Sequence, residues 1–205
     1  MKSITLEIYS DFVCPFCFLA EKPLIQAIDA LSQEININLT WKPFELRPSP
    51  TPTLKPEGEY LSRVWKELVY PMALRMQTDI ILPKVSPQPY TGLAFEGAIY
   101  AALNGKSPEY QHRMFTAFFQ GQLNIWEIDI LSRCAADIGL DKQDFRSALE
   151  NGLHAKSYEE QLLYVQQQEV IKTVPTYIFP NGFRISGVLE REKVLALMLN
   201  QFGLM

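Results

Sequence analysis

The chain has 205 residues, 47% of them hydrophobic and 20% charged, with a formal net charge of −4. These proportions fit a soluble globular protein of one sizeable domain, or one domain carrying an insertion. No basic cluster and no apolar run near the ~20 residues of a membrane span occurs, so nucleic acid and membrane are poor partners.

The first residues, Met1-Lys2-Ser3-Ile4-Thr5-Leu6-Glu7-Ile8, enter a strand pattern at once. They show no secretory apolar segment, and the expected compartment is the cytoplasm. Ile4, Leu6 and Ile8 alternate with Thr5, Glu7 and Tyr9 over residues 3–9, a strand period. A turn follows, then a helix opening at Cys14 and running to about Ser32, with Leu24, Ile25, Ile28 and Leu31 on one face and a kink expected at Pro23. Ile35 to Trp41 alternates again and reads as a second strand, parallel to the first through a right-handed crossover. Five prolines between residues 43 and 56 then mark a loop leaving the sheet.

From about 58 to 170 the pattern is helical. Leu61, Val64, Trp65, Leu68 and Met72 form one stripe, expected to pack in the helical core, with Pro71 near the helix end. A proline-bearing connection over 80–90 precedes a helix from Leu93 to Asn104, which Gly105 stops. Ser107-Pro108 reads as an N-cap and first-position pair for a helix to about Gln120. Glu127 to Ile138, a short helix capped by Asp141 and ending at Gly152, and Tyr158 to Val170 complete this block. Strand character returns in Thr176 to Phe179 and Phe183 to Ser186, joined by Pro180-Asn181-Gly182 as a hairpin, before a last helix from Glu190 to Phe202. The order β-α-β, helical block, α-β-β-α predicts an α/β thioredoxin-like fold with an inserted all-helical subdomain. Residues 1–46 and 157–205 form the discontinuous thioredoxin-like domain and 47–156 the insertion. Neither half alone can bury both faces of its strands.

The stretch carrying chemistry is Ser10-Asp11-Phe12-Val13-Cys14-Pro15-Phe16-Cys17. The thiolate is the attacking form of cysteine. A cysteine at a helix start, among unpaired backbone N–H groups, has its pKa lowered from about 8.5 to between about 3.5 and 7.5. Pro15 suits the first helical position. Cys17 falls one turn on, on the same face, close enough for a disulfide that opens and closes with little motion. Zinc would need two more ligands, and Cys134, His112 and His154 stand isolated. No metal is assigned, no bound cofactor is expected, and the redox group is the Cys14–Cys17 pair itself. Thr173-Val174-Pro175-Thr176 precedes the third strand. A thioredoxin-like sheet brings that position opposite the dithiol, where a cis Val174–Pro175 bond is expected to present the Val174 backbone to an extended substrate.

Asp11-x-x-Cys14-Pro15-Phe16-Cys17, Trp41-Lys42-Pro43-Phe44-Glu45-Leu46, Thr173-Val174-Pro175-Thr176 and Ile185-Ser186-Gly187 together resemble the DsbA-like thioredoxin superfamily. The Pro-Phe-Glu-Leu stretch is similar to its cytosolic FrnE-type branch. The resemblance spans nearly the whole chain. It implies a thiol–disulfide oxidoreductase with Cys14 as nucleophile, Cys17 as resolving thiol and Pro175 as the cis-proline. Kappa-class glutathione transferases and hydroxychromene carboxylate isomerases share the layout but carry serine where this chain has Cys14. Phe16 stands where periplasmic DsbA has histidine, and no cysteine follows Cys134, unlike FrnE relatives with a second pair near the C-terminus.

Three functions therefore stand open: an oxidoreductase or isomerase acting on protein or small-molecule disulfides, a glutathione-dependent transferase or isomerase, and a non-catalytic partner-binding module. Partners follow accordingly as protein or peptide thiols and disulfides, with glutathione a candidate co-substrate. The chain reads as monomer or homodimer. Phe12, Phe16, Phe18 and Tyr177 are core or an apolar collar gripping substrate, Phe16 being the best placed for the latter. Glu7 is either a buried proton acceptor for Cys17 or an ordinary strand acid. Asp11 reads as a turn carboxylate, and Cys134 as a core thiol. His112 and His154 receive no role.

Overall fold

A computed structural model describes residues 2–167 and 171–204. Strand β1 (Lys2–Ser10) leads through a turn into α1 (Pro15–Ala30) and β2 (Ile35–Pro43). The helical block comprises α2 (Glu59–Val64), a π-helical turn (Trp65–Val69), α3 (Tyr70–Met76), α4 (Gly92–Leu103), α5 (Ser107–Phe119), α6 (Ile128–Asp137), α7 (Lys142–Glu150) and α8 (Ala155–Gln167). The hairpin β3 (Thr176–Ile178) and β4 (Arg184–Ser186) and helix α9 (Arg191–Phe202) follow. The sheet order is β2-β1-β3-β4. β1 runs parallel to β2 from Lys2↔Ile35 to Ser10↔Pro43 and antiparallel to β3 through Ile8↔Tyr177. This is the thioredoxin-like α/β fold with helices inserted between β2 and β3.

The alternation in β1 decides what each sheet face buries. Ile4, Leu6 and Ile8 pack with Leu24, Ala27 and Leu31 of α1 and Val194, Met198 and Phe202 of α9. Tyr9 and Phe12 join the second core, where Phe95 of α4 and Tyr110, Phe115, Phe118 and Phe119 of α5 converge. Phe12 lies 4.7 Å from Phe95 between ring centroids, and Phe18 of α1 stacks on Phe119 at 5.6 Å. Burying each such ring contributes roughly 1.5–3 kcal/mol. The same contacts lock the helix carrying both cysteines onto the helical block.

Four sequence expectations change. The helix bearing Pro71 does not stop there but continues to Met76. Proline cannot donate to the carbonyl four residues back, and the wider π turn directly before it carries the chain past that point. Leu68 is exposed, whereas Trp65 of the same stripe is buried, because the π turn shifts the helical period. Ser107 is the first residue of α5 rather than its cap; Lys106 holds the cap position and no side chain caps this end. The stretch Tyr158 to Val170 is helical from Ala155 to Gln167, and residues 168–170 lie outside the described ones. Asp141 caps α7 as expected, accepting from the Gln143 and Asp144 amides at 2.8 Å. Cys134 is fully buried, and burial pushes its thiol pKa up.

Candidate active site

The end of β1 and the start of α1 build the dithiol. The Cys14 amide donates to the Asp11 carbonyl at 3.1 Å, closing the turn. Cys14 is the N-cap of α1, with extended backbone angles and Pro15 at the first helical position. The Cys17 amide then donates to the Cys14 carbonyl at 3.1 Å, which fixes the two residues one turn apart. Both are free thiols.

Their surroundings differ. Cys14 is 3% exposed yet lines a cleft of about 250 Å³. Phe16, Arg47, Tyr60, Trp65, Thr173 and Val174 also line it, so its walls come from α1, the proline-rich loop, the helical block and the approach to β3. Cys17, 2% exposed, is not among the lining residues. Burial first, and then the neighbouring Cys14 sulfur, raise the Cys17 thiol well above its ordinary pKa.

The approach to β3 is braced against this cleft. The Val174–Pro175 peptide is cis, and the Val174 carbonyl accepts from the Cys14 thiol at 3.8 Å. The Thr176 hydroxyl donates to the Thr173 carbonyl at 2.6 Å, spanning the Val174–Pro175 pair. That hydroxyl has one proton, so at the 2.6 Å Thr176–Ser186 contact the Ser186 hydroxyl is the donor. Gly187 donates its amide to the Pro175 carbonyl at 2.8 Å with φ of 97°, a conformation that favours glycine. The two motifs thus form one brace around the residue facing Cys14.

Sequence reasoning missed an acid cluster beside the dithiol. Asp11, 1% exposed, is more than a turn carboxylate. It accepts from the Leu46 amide at 2.8 Å, the Thr91 hydroxyl at 2.9 Å and, more weakly, the Val13 amide at 3.4 Å. Burial pushes its pKa up to about 7 against those donors. Glu45, also buried and raised by desolvation, shares the Thr91 hydroxyl at 3.4 Å and lies beside the Tyr158 hydroxyl. A carboxyl set between Ser10 and the apolar pair Phe12-Val13 was the available signal.

Other candidates fall into place. Phe12, Phe18 and Tyr177 are core, and Phe16 alone of the four aromatics lines the cleft. Glu7 is partly exposed, accepts from the Tyr9 hydroxyl at 3.2 Å and lies 3.9 Å from the Lys42 amine, so it is an ordinary strand acid. His112 is 63% exposed and pairs with Glu21 at 2.8 Å, well outside the cleft lining. Among the described residues, no group of three or more metal-ligating side chains gathers.

Residues 5–197 match the DSBA-like thioredoxin domain family. The chain belongs to that family. One relative is YwbO of Bacillus subtilis (strain 168), described as an uncharacterized protein, 41% identical over 177 residues and covering 86% of each chain. Among solved structures, a probable DsbA oxidoreductase, SCO1869 of Streptomyces coelicolor, superposes with a TM-score of 0.78 at 15% identity over 98% of this chain and 90% of that one. The cytosolic disulfide reductase DsbM of Pseudomonas aeruginosa does so with a TM-score of 0.73 at 14% identity over 98% and 100%. DsbM has also been solved with GSH. These structural likenesses carry the DsbA-like fold. No helix among the described residues is long and apolar enough to cross a membrane.

Proposed function

We propose that this DsbA-like protein is a thiol–disulfide oxidoreductase, with Cys14 as the attacking thiol and Cys17 as the resolving one. The observation that carries this reading is the asymmetry of the pair. Cys14 lines the cleft, and Cys17 sits one turn behind it, buried. Cys14 attacks a substrate disulfide as thiolate, forming a mixed disulfide and releasing one substrate thiol. Cys17 then attacks the Cys14 sulfur, and the second substrate thiol leaves. The reverse sequence oxidises substrate thiols. The Val174 backbone and Phe16 bind the substrate chain, while Pro175 closes the wall behind it. The insertion, residues 47–156, contributes Arg47, Tyr60 and Trp65 to the opposite wall of the thioredoxin-like site.

The presence of GSH in a DsbM structure supports testing glutathione as the small thiol partner, and the Arg47 guanidinium offers a charge for its carboxylates. The FrnE-type cytosolic branch and the cytoplasm fit this assignment. A glutathione-dependent transferase or isomerase is the second reading, favoured by the same Arg47-rimmed cleft. Single substitutions separate the two. Cys17→Ser traps a mixed disulfide on Cys14, detected as added mass that dithiothreitol removes, and Cys14→Ser abolishes exchange. Retained turnover in Cys17→Ser favours the glutathione-dependent reading. Substrate capture that survives both changes favours a binding module.

A further inference from the structure

We propose that Ser10 is a positioning residue for Cys17, its hydroxyl donating a hydrogen bond to the Cys17 sulfur as that sulfur becomes a thiolate. This rests on the functional reading above. In the step concerned, the Cys17 thiol gives up its proton, and its sulfur bonds to that of Cys14. The bond from Cys14 to the substrate breaks, and the departing substrate thiolate takes up the proton. A sulfur buried as Cys17 is buried needs a local donor to carry charge even briefly.

Ser10 is placed to be that donor. It is the last residue of β1 and shares by alternation the face of Ile4, Leu6 and Ile8, which α1 covers. Cys17 opens the buried side of α1, followed by Phe18. The Ser10 backbone is already committed, its carbonyl accepting from the Phe44 amide at 3.0 Å. Its side chain is not. The residue is 3% exposed, and Oγ is buried without a hydrogen-bond partner. Buried hydroxyls without partners are rare, and each one asks for an explanation. With Cys17 as a neutral thiol the hydroxyl faces a weak acceptor, whereas a thiolate is a strong one. The interaction therefore strengthens where the reaction needs it.

The electrostatics agree in direction. The Ser10 hydroxyl and the Asp11 backbone both pull the Cys17 thiol down against burial. The titratable groups around that sulfur are Cys14 at the N-cap of the same helix, Tyr177 on β3 and Asp11 directly after β1, whose backbone reaches the sulfur. Burial holds the Tyr177 phenol protonated near neutral pH, whereas the Asp11 carboxyl, pushed up to about 7, is partly ionised there with its charge turned to the Leu46 amide and the Thr91 hydroxyl.

Reaction of the full-length reduced protein with dipyridyl disulfide separates the two steps. The first thiopyridone released reports attack by Cys14, and the second reports resolution by Cys17. Ser10→Ala is expected to slow the second phase roughly tenfold or more near neutral pH, the worth of one hydrogen bond to a charged group. Its pH profile should move to higher pH, with the first phase unchanged. Ser10→Thr keeps the hydroxyl and should keep most of the rate. Ser10→Gly carries the alanine expectation if alanine does not fold. An unmoved second phase overturns the proposal, as does parallel slowing of both phases or an equal loss in alanine and threonine variants. A second phase that persists in Cys17→Ser refutes the functional reading itself, whatever Ser10 does.

Discussion

The Asp11 carboxyl accepts a hydrogen bond from the Thr91 hydroxyl at 2.9 Å, joining the turn that carries the dithiol to the start of α4, 80 residues away. Leu46, at the head of the proline-rich loop, completes the junction through its amide. Three segments that wall the cleft are thus held by one buried acid.

That junction gives stability a pH dependence. The folded-state pKa of Asp11, about 7, lies above its ordinary 3.8, so the folded protein binds a proton more tightly than the unfolded one between these values. Stability from this group is therefore present at low pH and declines as pH rises through that window. The total is at most on the order of 4 kcal/mol for a shift of this size. Asp11→Asn should flatten the decline between about pH 4 and 7, although its amide nitrogen would meet the Leu46 N–H and lower stability overall. Urea midpoints across pH for both proteins test this, and equal slopes would contradict it.

Thr176 offers a test of the brace beside Pro175. Thr176→Val keeps the shape of a buried side chain but removes the hydrogen bonds to Thr173 and Ser186. A loss of about 1–3 kcal/mol is expected, since the partners remain buried. Disulfide exchange at Cys14 should slow as well, because Val174 loses its fixed position against the cleft. Unfolding curves and exchange rates measured together check both effects, and unchanged exchange in a destabilised protein would remove the brace from the mechanism.

The strands, the hairpin and most helices were readable because their signals are local: alternation in β1, Asn181-Gly182 in the turn, Asp141 before α7. The dithiol was readable for the same reason, as Cys14 and Cys17 lie one helical turn apart. The Asp11 junction was not, because its partners Leu46 and Thr91 are 35 and 80 residues away, and no short pattern links them. The exposure of Leu68 was hidden too, since an α-helical period cannot anticipate a π turn. Ser10 escaped notice because a strand-end serine is ordinary until its hydroxyl is found buried and alone.

Gly97 is a packing requirement rather than a hinge. A Cβ there would collide with the Tyr110 hydroxyl and lie 2.7 Å from the Phe145 ring, both fully buried. Gly97→Ala should cost about 1–3 kcal/mol through overpacking between α4, α5 and α7. Gly92→Ala is the control, because its Cβ meets Glu45 and Tyr158 only at 3.3 Å. Denaturation midpoints should rank Gly97→Ala clearly below Gly92→Ala, and the reverse order would contradict this packing account.

Phe16 should set the redox poise through what it lacks. It lines the cleft beside Cys14 without bringing charge to it, whereas a histidine cation there would stabilise the reduced, thiolate-bearing form. The wild-type couple should therefore be less oxidising than periplasmic DsbA, whose potential is about −120 mV. Phe16→His should raise the potential, by about 30 mV for each 1.4 kcal/mol the cation contributes. The increase should grow as pH falls and the imidazole becomes charged. Equilibration of both proteins with glutathione buffers at two pH values measures this. A wild-type potential near that of periplasmic DsbA, or no rise on introducing histidine, would show that the residue between the cysteines does not control their poise in this protein.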